Sequence, residues 1–264
     1  MDEKEHSEDG FVILRNPHIK EMEQDFLYHI SLSSGSQDLV EMFSDVKFVC
    51  MGGTPRRMEK FAQLVQKELD IKLPTGAALC DISARSYRYS MYKIGPVISV
   101  SHGMGIPSLS ILLHEIIKLM YHARSRCKKV QRLAVLNKDL AKELKDIADQ
   151  EMTECKAFFG KTMCTNDFYE GQGRLDGAFC DYTIDDKMAF LKEIHSKGVT
   201  NMEMESLAFA AMCHHANIKG AVICVSLLNR LLGDQISASK DIMEEWQERP
   251  QKLAIKFIKK RLNM

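Results

Sequence analysis

Hydrophobic residues recur at helical spacing at Met58, Phe61, Leu64, Val65 and Leu69, which predicts a helix with one buried face after Pro55. The preceding run, Val46-Lys47-Phe48-Val49-Cys50-Met51, reads as a strand from its β-branched and aromatic content. Between them, Thr54 suits a helix N-cap and Pro55 the first helical position. A hairpin is predicted next, Tyr87–Ile94 and Val97–His102 about the turn Gly95-Pro96, with Arg88 in its first strand. Leu109, Leu112, Leu113, Ile116, Ile117 and Met120 give a wide apolar helix face ending near His122. Leu140, Leu144 and Ile147 mark a second helix, capped by Asn137. Only fourteen residues, Ala123–Leu136, separate the two. They are mostly basic (Arg124, Arg126, Lys128, Lys129) before Val130–Leu136, a poorly alternating run with room for one strand. Further on, Lys187–Ser196 and the small-residue run Leu207–His215 read as helices, and Ala221–Leu228 as a buried strand. Pro250 reads as a helix start after Trp246, with Leu253, Ala254, Phe257 and Ile258 forming the last apolar face.

Composition narrows the class. At 264 residues and 45% hydrophobic, the chain can bury a core of single-domain size. Thirty-six basic and thirty-six acidic side chains cancel, which removes the electrostatic case for nucleic acid or an anionic membrane surface. The eight cysteines form no C-x-x-C pair and sit mostly in apolar runs. They read as reduced thiols of a cytosolic protein rather than a disulfide frame or zinc site. Residues 1–10 are acidic and polar, like a flexible tail and unlike a signal segment. The longest apolar run, Ala221–Leu228, is far too short to span a bilayer. An intracellular globule is expected.

The chemistry concentrates in Phe168-Tyr169-Glu170-Gly171-Gln172-Gly173-Arg174-Leu175-Asp176-Gly177, where three glycines forbid a comfortable helix or strand interior. In an extended segment Gln172 and Arg174 would project to one side. A carboxamide and a guanidinium could then read a small flat heterocycle bearing C=O and N–H groups, with Phe168 or Tyr169 as a stacking face. A tight turn with surface polar groups is the plain alternative. At Gly52-Gly53 a strand hands over to a helix N-terminus with Arg57 one turn in, which favours a bound anion slightly over a purely geometric turn. Ser101-His102-Gly103-Met104-Gly105-Ile106-Pro107 is a second such turn. Glu203 and Glu205 open a helix, where carboxylates complement the dipole; alternatively, one accepts paired sugar hydroxyls with Met204 against the ring. His29 carries little weight alone. The adjacent His214 and His215 point to different faces and make no helical metal pair.

These stretches together resemble the uridine phosphorylases, of the nucleoside phosphorylase superfamily, in their animal form. The resemblance rests on Asp45–Gly53, Ser101–Pro107, Phe168–Gly177, Glu203–Ser206, Gly233–Ile236 and Gln247–Gln251, and runs from about Asn16 nearly to the C-terminus. It implies a three-layer α/β/α sandwich with a mixed central sheet over residues 16–264, behind a tail of residues 1–15. It implies reversible phosphorolysis of uridine to uracil and ribose 1-phosphate in pyrimidine salvage, with phosphate as co-substrate and no metal or organic cofactor. Gly53 and Arg57 would hold phosphate, joined by Arg88 from a second subunit of a cytoplasmic homodimer. Gln172 and Arg174 would bind the uracil carbonyls and N3, with Phe168 against the base and Leu227, Leu228 and Ile236 walling the pocket. Glu205 would grip the ribose hydroxyls, Met204 would pack on the sugar, and His29 of the second subunit would meet O5′. The family carries a longer segment in place of Ala123–Leu136: a central strand ending in Arg-x-Gly-Thr-x-Gly-Gly, then a β-hairpin. With that segment go a phosphate arginine and a threonine, so phosphorolysis is expected to fall by orders of magnitude. Ser83–Tyr87 also differs from the family's usual Gly-Thr-Asp before Arg88. A non-catalytic nucleoside-binding paralogue or splice product, pairing with a full-length subunit, is the alternative.

Overall fold

A computed structural model of the chain describes residues 16–73, 77–124 and 135–264. The tail expected over residues 1–15 and most of the strand expected at Val130–Leu136 lie outside them. The chain divides into two compact units, one of Met1–Leu136 with Ala208–Gly220, the other of Asn137–Leu207 with Ala221–Met264.

In the first unit a short hairpin, β1 (Phe26–Leu27) and β2 (Leu32–Ser33), leads through α1 (Leu39–Phe43) to β3 (Phe48–Gly52) and α2 (Pro55–Glu68). β4 (Met91–Ile94), β5 (Val97–Ser101) and α3 (Gly105–Arg124) follow. β5 is central: it pairs in parallel with β3, Phe48 opposite Val97 through Gly52 opposite Ser101, and antiparallel with β4. All five β5 residues are buried. α2 packs on β4 and β5, and the Ser99 hydroxyl donates to the Met58 carbonyl at 2.7 Å, satisfying a polar group inside the layer. Leu27, Ile30, Phe43, Met91, Ile98, Leu112 and Leu119 form the main core. Thr54 caps α2 as expected, with Pro55 at its first turn. The hairpin about Gly95-Pro96 is present, but its first strand starts at Met91 instead of Tyr87. Tyr87 is left-handed (φ 56), a conformation no strand contains, so Arg88 stands in the loop ahead of the strand.

The second unit holds α4 (Lys138–Glu151), β6 (Lys161–Cys164), α5 (Ile184–Ser196) and β7 (Val199–Glu203). The first two residues of α6 (Ser206–His215) and all of α7 (Lys240–Leu262) complete it. β6 and β7 are parallel. α4 and α7 share a core of Leu144, Ile147, Met152 and Leu253, with Ala221, Ile223 and Phe257 against it. α4 carries the expected Asn137 cap, its side chain accepting from Leu140 N at 2.7 Å. α5 begins three residues before Lys187, because Thr183 and Asp186 close a capping box there.

Two expectations are corrected. Ala221–Leu228 is not a strand. A strand persists only by exchanging backbone hydrogen bonds with a neighbour, and among the described residues none pairs with it. Pro250 does not start a helix but lies inside α7. Proline removes one N–H, and the side-chain amides of Gln247 and Gln251 donate to the carbonyls of Met243 (3.0 Å) and Gln247 (3.2 Å), binding backbone acceptors in the turns that precede it. The α/β class and the mixed strand pairing are as expected. No helix among the described residues is long and apolar enough to cross a membrane.

Phe43 is fully buried, whereas Val40 on the same helix is half exposed. Phe43→Ala is expected to cost about 3–5 kcal/mol and Val40→Ala within about 0.5 kcal/mol. Urea unfolding of the two variants measures the difference.

Candidate functional site

Because β3 and β5 are parallel neighbours, both end at the same edge, and each turns directly into a helix there. The two turns touch. A Cβ on Gly53 would lie 3.4 Å from the Gly103 carbonyl oxygen and 3.9 Å from both the Arg57 guanidinium and the His102 ring. Gly103 and Gly105 supply the left-handed bends (φ 73 and 83) that let the second turn close, and the Ser108 hydroxyl donates to the His102 carbonyl at 2.6 Å to hold it. The N-terminus of α2 and a guanidinium whose pKa is lowered by burial thus meet at Gly53, an arrangement that favours an anion. Arg88 is exposed, with its guanidinium 5.8 Å from the centre of the Tyr89 ring. His29 is tied to α3: its backbone N–H donates to Glu115 at 2.9 Å, and its Nδ1 lies 2.7 Å from the same carboxylate.

The second unit holds the glycine-rich loop. It is not extended: Glu170–Gln172 form a single 3-10 turn ended by left-handed Gly173 (φ 62). Strand alternation therefore does not bring Gln172 and Arg174 to one side. The turn folds both inward, and they are 6% and 7% exposed. A Cβ on Gly173 would meet the Phe190 ring at 2.9 Å, so glycine is required there by conformation and by space. The loop is held by Asp234, a buried carboxylate. Asp234 accepts from the Leu175 N–H at 2.9 Å, from Lys187 at 2.8 Å and from Arg230 Nε at 2.8 Å. Arg230 also donates to the carbonyls of Gln172 and Gly173, each at 3.0 Å. Burial works to raise the Asp234 pKa, but the hydrogen bonds from Lys187, Leu175 and Arg230 outweigh it and bring it down to about 2.

Arg174 makes a two-pronged pair with Asp176, Nε and Nη2 each at 2.9 Å, and Nη2 also donates to the Asp234 carbonyl. The hydrogen bonding to Asp176 raises the Arg174 pKa against the opposing effect of burial. Three of its five N–H groups are thereby used, and both on Nη1 remain without a partner among the described residues. Its guanidinium lies 4.3 Å from the centre of the Phe168 ring, which is itself edge-on to Tyr169. Gln172 donates one N–H to the Thr165 hydroxyl at 3.1 Å, leaving its second N–H and its Oε1.

Glu203 and Glu205 separate into two roles. Glu203 caps α6, accepting from the backbone N–H groups of Glu205 (2.9 Å) and Ser206 (2.7 Å) and from the Ser206 hydroxyl. Glu205 is half-buried beside Met204. Leu227 and Leu228 are half-buried, and Ile236 is exposed. The residues that sequence reasoning missed are Asp234, Arg230, Lys187 and Thr165. Gly233-Asp234-Gln235-Ile236 had stood out only as a motif, and no periodicity marks its aspartate as the loop's anchor.

Residues 123–259 match the Phosphorylase superfamily. Over 99% of its length the chain is 44% identical to Uridine phosphorylase 1 of Mus musculus, 96% of which is covered. The chain belongs to the phosphorylase superfamily, among its uridine phosphorylases. A structure from work on two diverse uridine phosphorylases of the oomycete Phytophthora capsici matches with TM-score 0.89 and 38% identity, covering 96% of this chain and 99% of that one. Inactive uridine phosphorylase B of Schistosoma mansoni is 30% identical over 93% of this chain and 95% of its own. The mouse alignment runs to 301 positions against 264 residues here, so at least 37 positions of that phosphorylase have no counterpart in this chain.

The Asp234 clamp has a pH signature. Its carboxyl ordinarily titrates at 3.8 and in the fold at about 2. Its stabilising contribution is therefore fully present well above 3.8 and is lost as pH falls through 3.8 towards about 2. Carbon NMR of the Asp234 carboxyl is expected to give a midpoint near 2; a midpoint at or above 3.8 contradicts the clamp.

Proposed function

We propose that this chain is a uridine phosphorylase that binds the imide edge of uracil through Gln172 and Arg174. The observation that carries this reading is the pattern of polar groups those two side chains leave unused. Arg174 retains two donors on Nη1, and Gln172 retains one acceptor and one donor. A donor, acceptor, donor series complements the C4 carbonyl, N3–H and C2 carbonyl of uracil. Phe168 lies beside the base, with Leu227, Leu228 and Ile236 around it. Glu205 accepts the ribose hydroxyls, which is consistent with Glu203 being the residue spent on the helix cap. Met204 packs on the sugar. Phosphate sits at Gly53 and Arg57, where the turn at the end of β3 and a desolvated guanidinium favour an anion. Arg88 and His29 reach a second copy of the chain in a homodimer, the exposure of Arg88 being consistent with this. The seven described cysteines are free thiols, which supports a cytoplasmic location.

In this reading no metal or organic cofactor takes part. As the glycosidic bond breaks, the leaving uracil gains negative charge, and the Arg174 guanidinium and the Gln172 amide stabilise it electrostatically. Arg57 binds the co-substrate phosphate, and a bound reactant reacts without much of the entropic cost of encounter. The missing phosphate arginine and threonine set the rate: each such contact is worth ~10²–10³. Phosphate-dependent uracil release from uridine is therefore expected, several orders of magnitude slower than in Uridine phosphorylase 1 of Mus musculus. Turnover matching that relative contradicts the account of the missing segment, and failure to bind uracil contradicts the base site. A second reading, a nucleoside-binding chain without turnover, is favoured by the shortfall of at least 37 aligned positions and by an inactive relative among the similar proteins. Uridine binding by calorimetry, with no phosphate-dependent product, is its expected result.

A further inference from the structure

The two faces of the Gln172 carboxamide are nearly identical in shape, yet only one orientation complements uracil. Something must choose between them. Thr165, 6% exposed, stands at the end of β6, where its N–H donates to the Glu203 carbonyl at 2.9 Å and continues the pairing with β7. Its hydroxyl has one proton and two lone pairs. The proton is committed: Oγ1 lies 2.9 Å from the Asp167 carbonyl, against 3.5 Å from that of Glu203. Only lone pairs are left to face Gln172, whose Nε2 lies 3.1 Å away. Asp167 is itself fixed, since its carboxylate accepts from the Gly171 N–H at 2.8 Å, one residue before Gln172.

Resting on the base site proposed above, we propose that Thr165 is the specificity-determining residue of that site, because its hydroxyl sets which end of the Gln172 amide meets the base. A flipped amide would set Oε1 against an oxygen lone pair, or would force the hydroxyl to abandon the Asp167 carbonyl. Either change sacrifices about one buried hydrogen bond. With the amide held as it is, Oε1 faces N3 of the base. Uracil offers a proton there; cytosine offers a lone pair and is repelled. Thr165 does not touch the base, so it acts through Gln172 as a positioning residue.

Calorimetric titration of the full chain with uracil, cytosine and, as a control, inorganic phosphate tests this. Thr165→Val, nearly identical in volume, is expected to lower the uracil-over-cytosine preference roughly tenfold, with phosphate affinity unchanged. Thr165→Ser keeps the hydroxyl and is expected to retain the wild-type preference. Should the valine variant not fold, Thr165→Ala against Thr165→Ser reads the same hydroxyl. A valine or alanine variant that keeps the full preference, including one that binds both bases proportionally more weakly, overturns the inference alone. A wild-type chain that holds no uracil overturns the base site, and this inference with it.

Discussion

The glycine-rich loop that carries the proposed base site depends on one buried carboxylate. Asp234 receives Lys187, Arg230 and the Leu175 N–H on its two oxygens, and its backbone carbonyl receives Arg174. A carboxylate removed from water is costly unless its lone pairs are filled and its charge is balanced, and here both conditions are met. A loop with three glycines would otherwise sample many conformations, since glycine loses the most backbone freedom on ordering. Arg230 extends the clamp by holding the carbonyls of Gln172 and Gly173, so the residues proposed to read the base are fixed from behind.

The charge balance around the loop bears on the chemistry. Arg174, Arg230 and Lys187 face Asp176 and Asp234, three cations against two carboxylates. Asp167, whose carboxylate accepts from the Gly171 N–H, adds a further negative charge to the same loop. In the proposed reaction, the two Arg174 donors left on Nη1 would bind a uracil leaving as an anion more strongly than a neutral one, because charge-assisted hydrogen bonds are the stronger kind. Stabilisation that appears only as charge develops acts on the rate rather than on ground-state affinity. The turn at Gly53, proposed to hold phosphate, follows different physics: the α2 N-terminus and Arg57 are already positive, and an anion is favoured from the outset.

Local signals made much of the fold legible. Thr54-Pro55, Asn137 and Gly95-Pro96 act through their own backbone chemistry, so the α2 start, the α4 start and the β4–β5 turn all fell where the residues indicated. Strand and helix limits that depend on distant partners did not. Tyr87 carries no mark of its left-handed backbone, Ala221–Leu228 looks like a strand but meets no ladder partner among the described residues, and Pro250 is accommodated within α7. The site shows the same division. Gln172 and Arg174 stand out as candidates because amide, guanidinium and glycine crowd into ten residues. Their arrangement does not, because it is set by Asp234 and Arg230, nearly sixty residues away, and by a Thr165 hydroxyl whose contact with Gln172 no sequence pattern marks.

The central claim is that this chain grips the imide edge of a pyrimidine through Gln172 and Arg174. Methylation at N3 of uracil removes the proton that Gln172 Oε1 would accept and leaves both carbonyls and the ring in place. Calorimetry with uracil and 3-methyluracil therefore tests the claim most directly. The account predicts that uracil binds and that 3-methyluracil binds at least about tenfold more weakly, the loss of a buried hydrogen bond plus the crowding of a methyl group. Equal affinity for the two would contradict it.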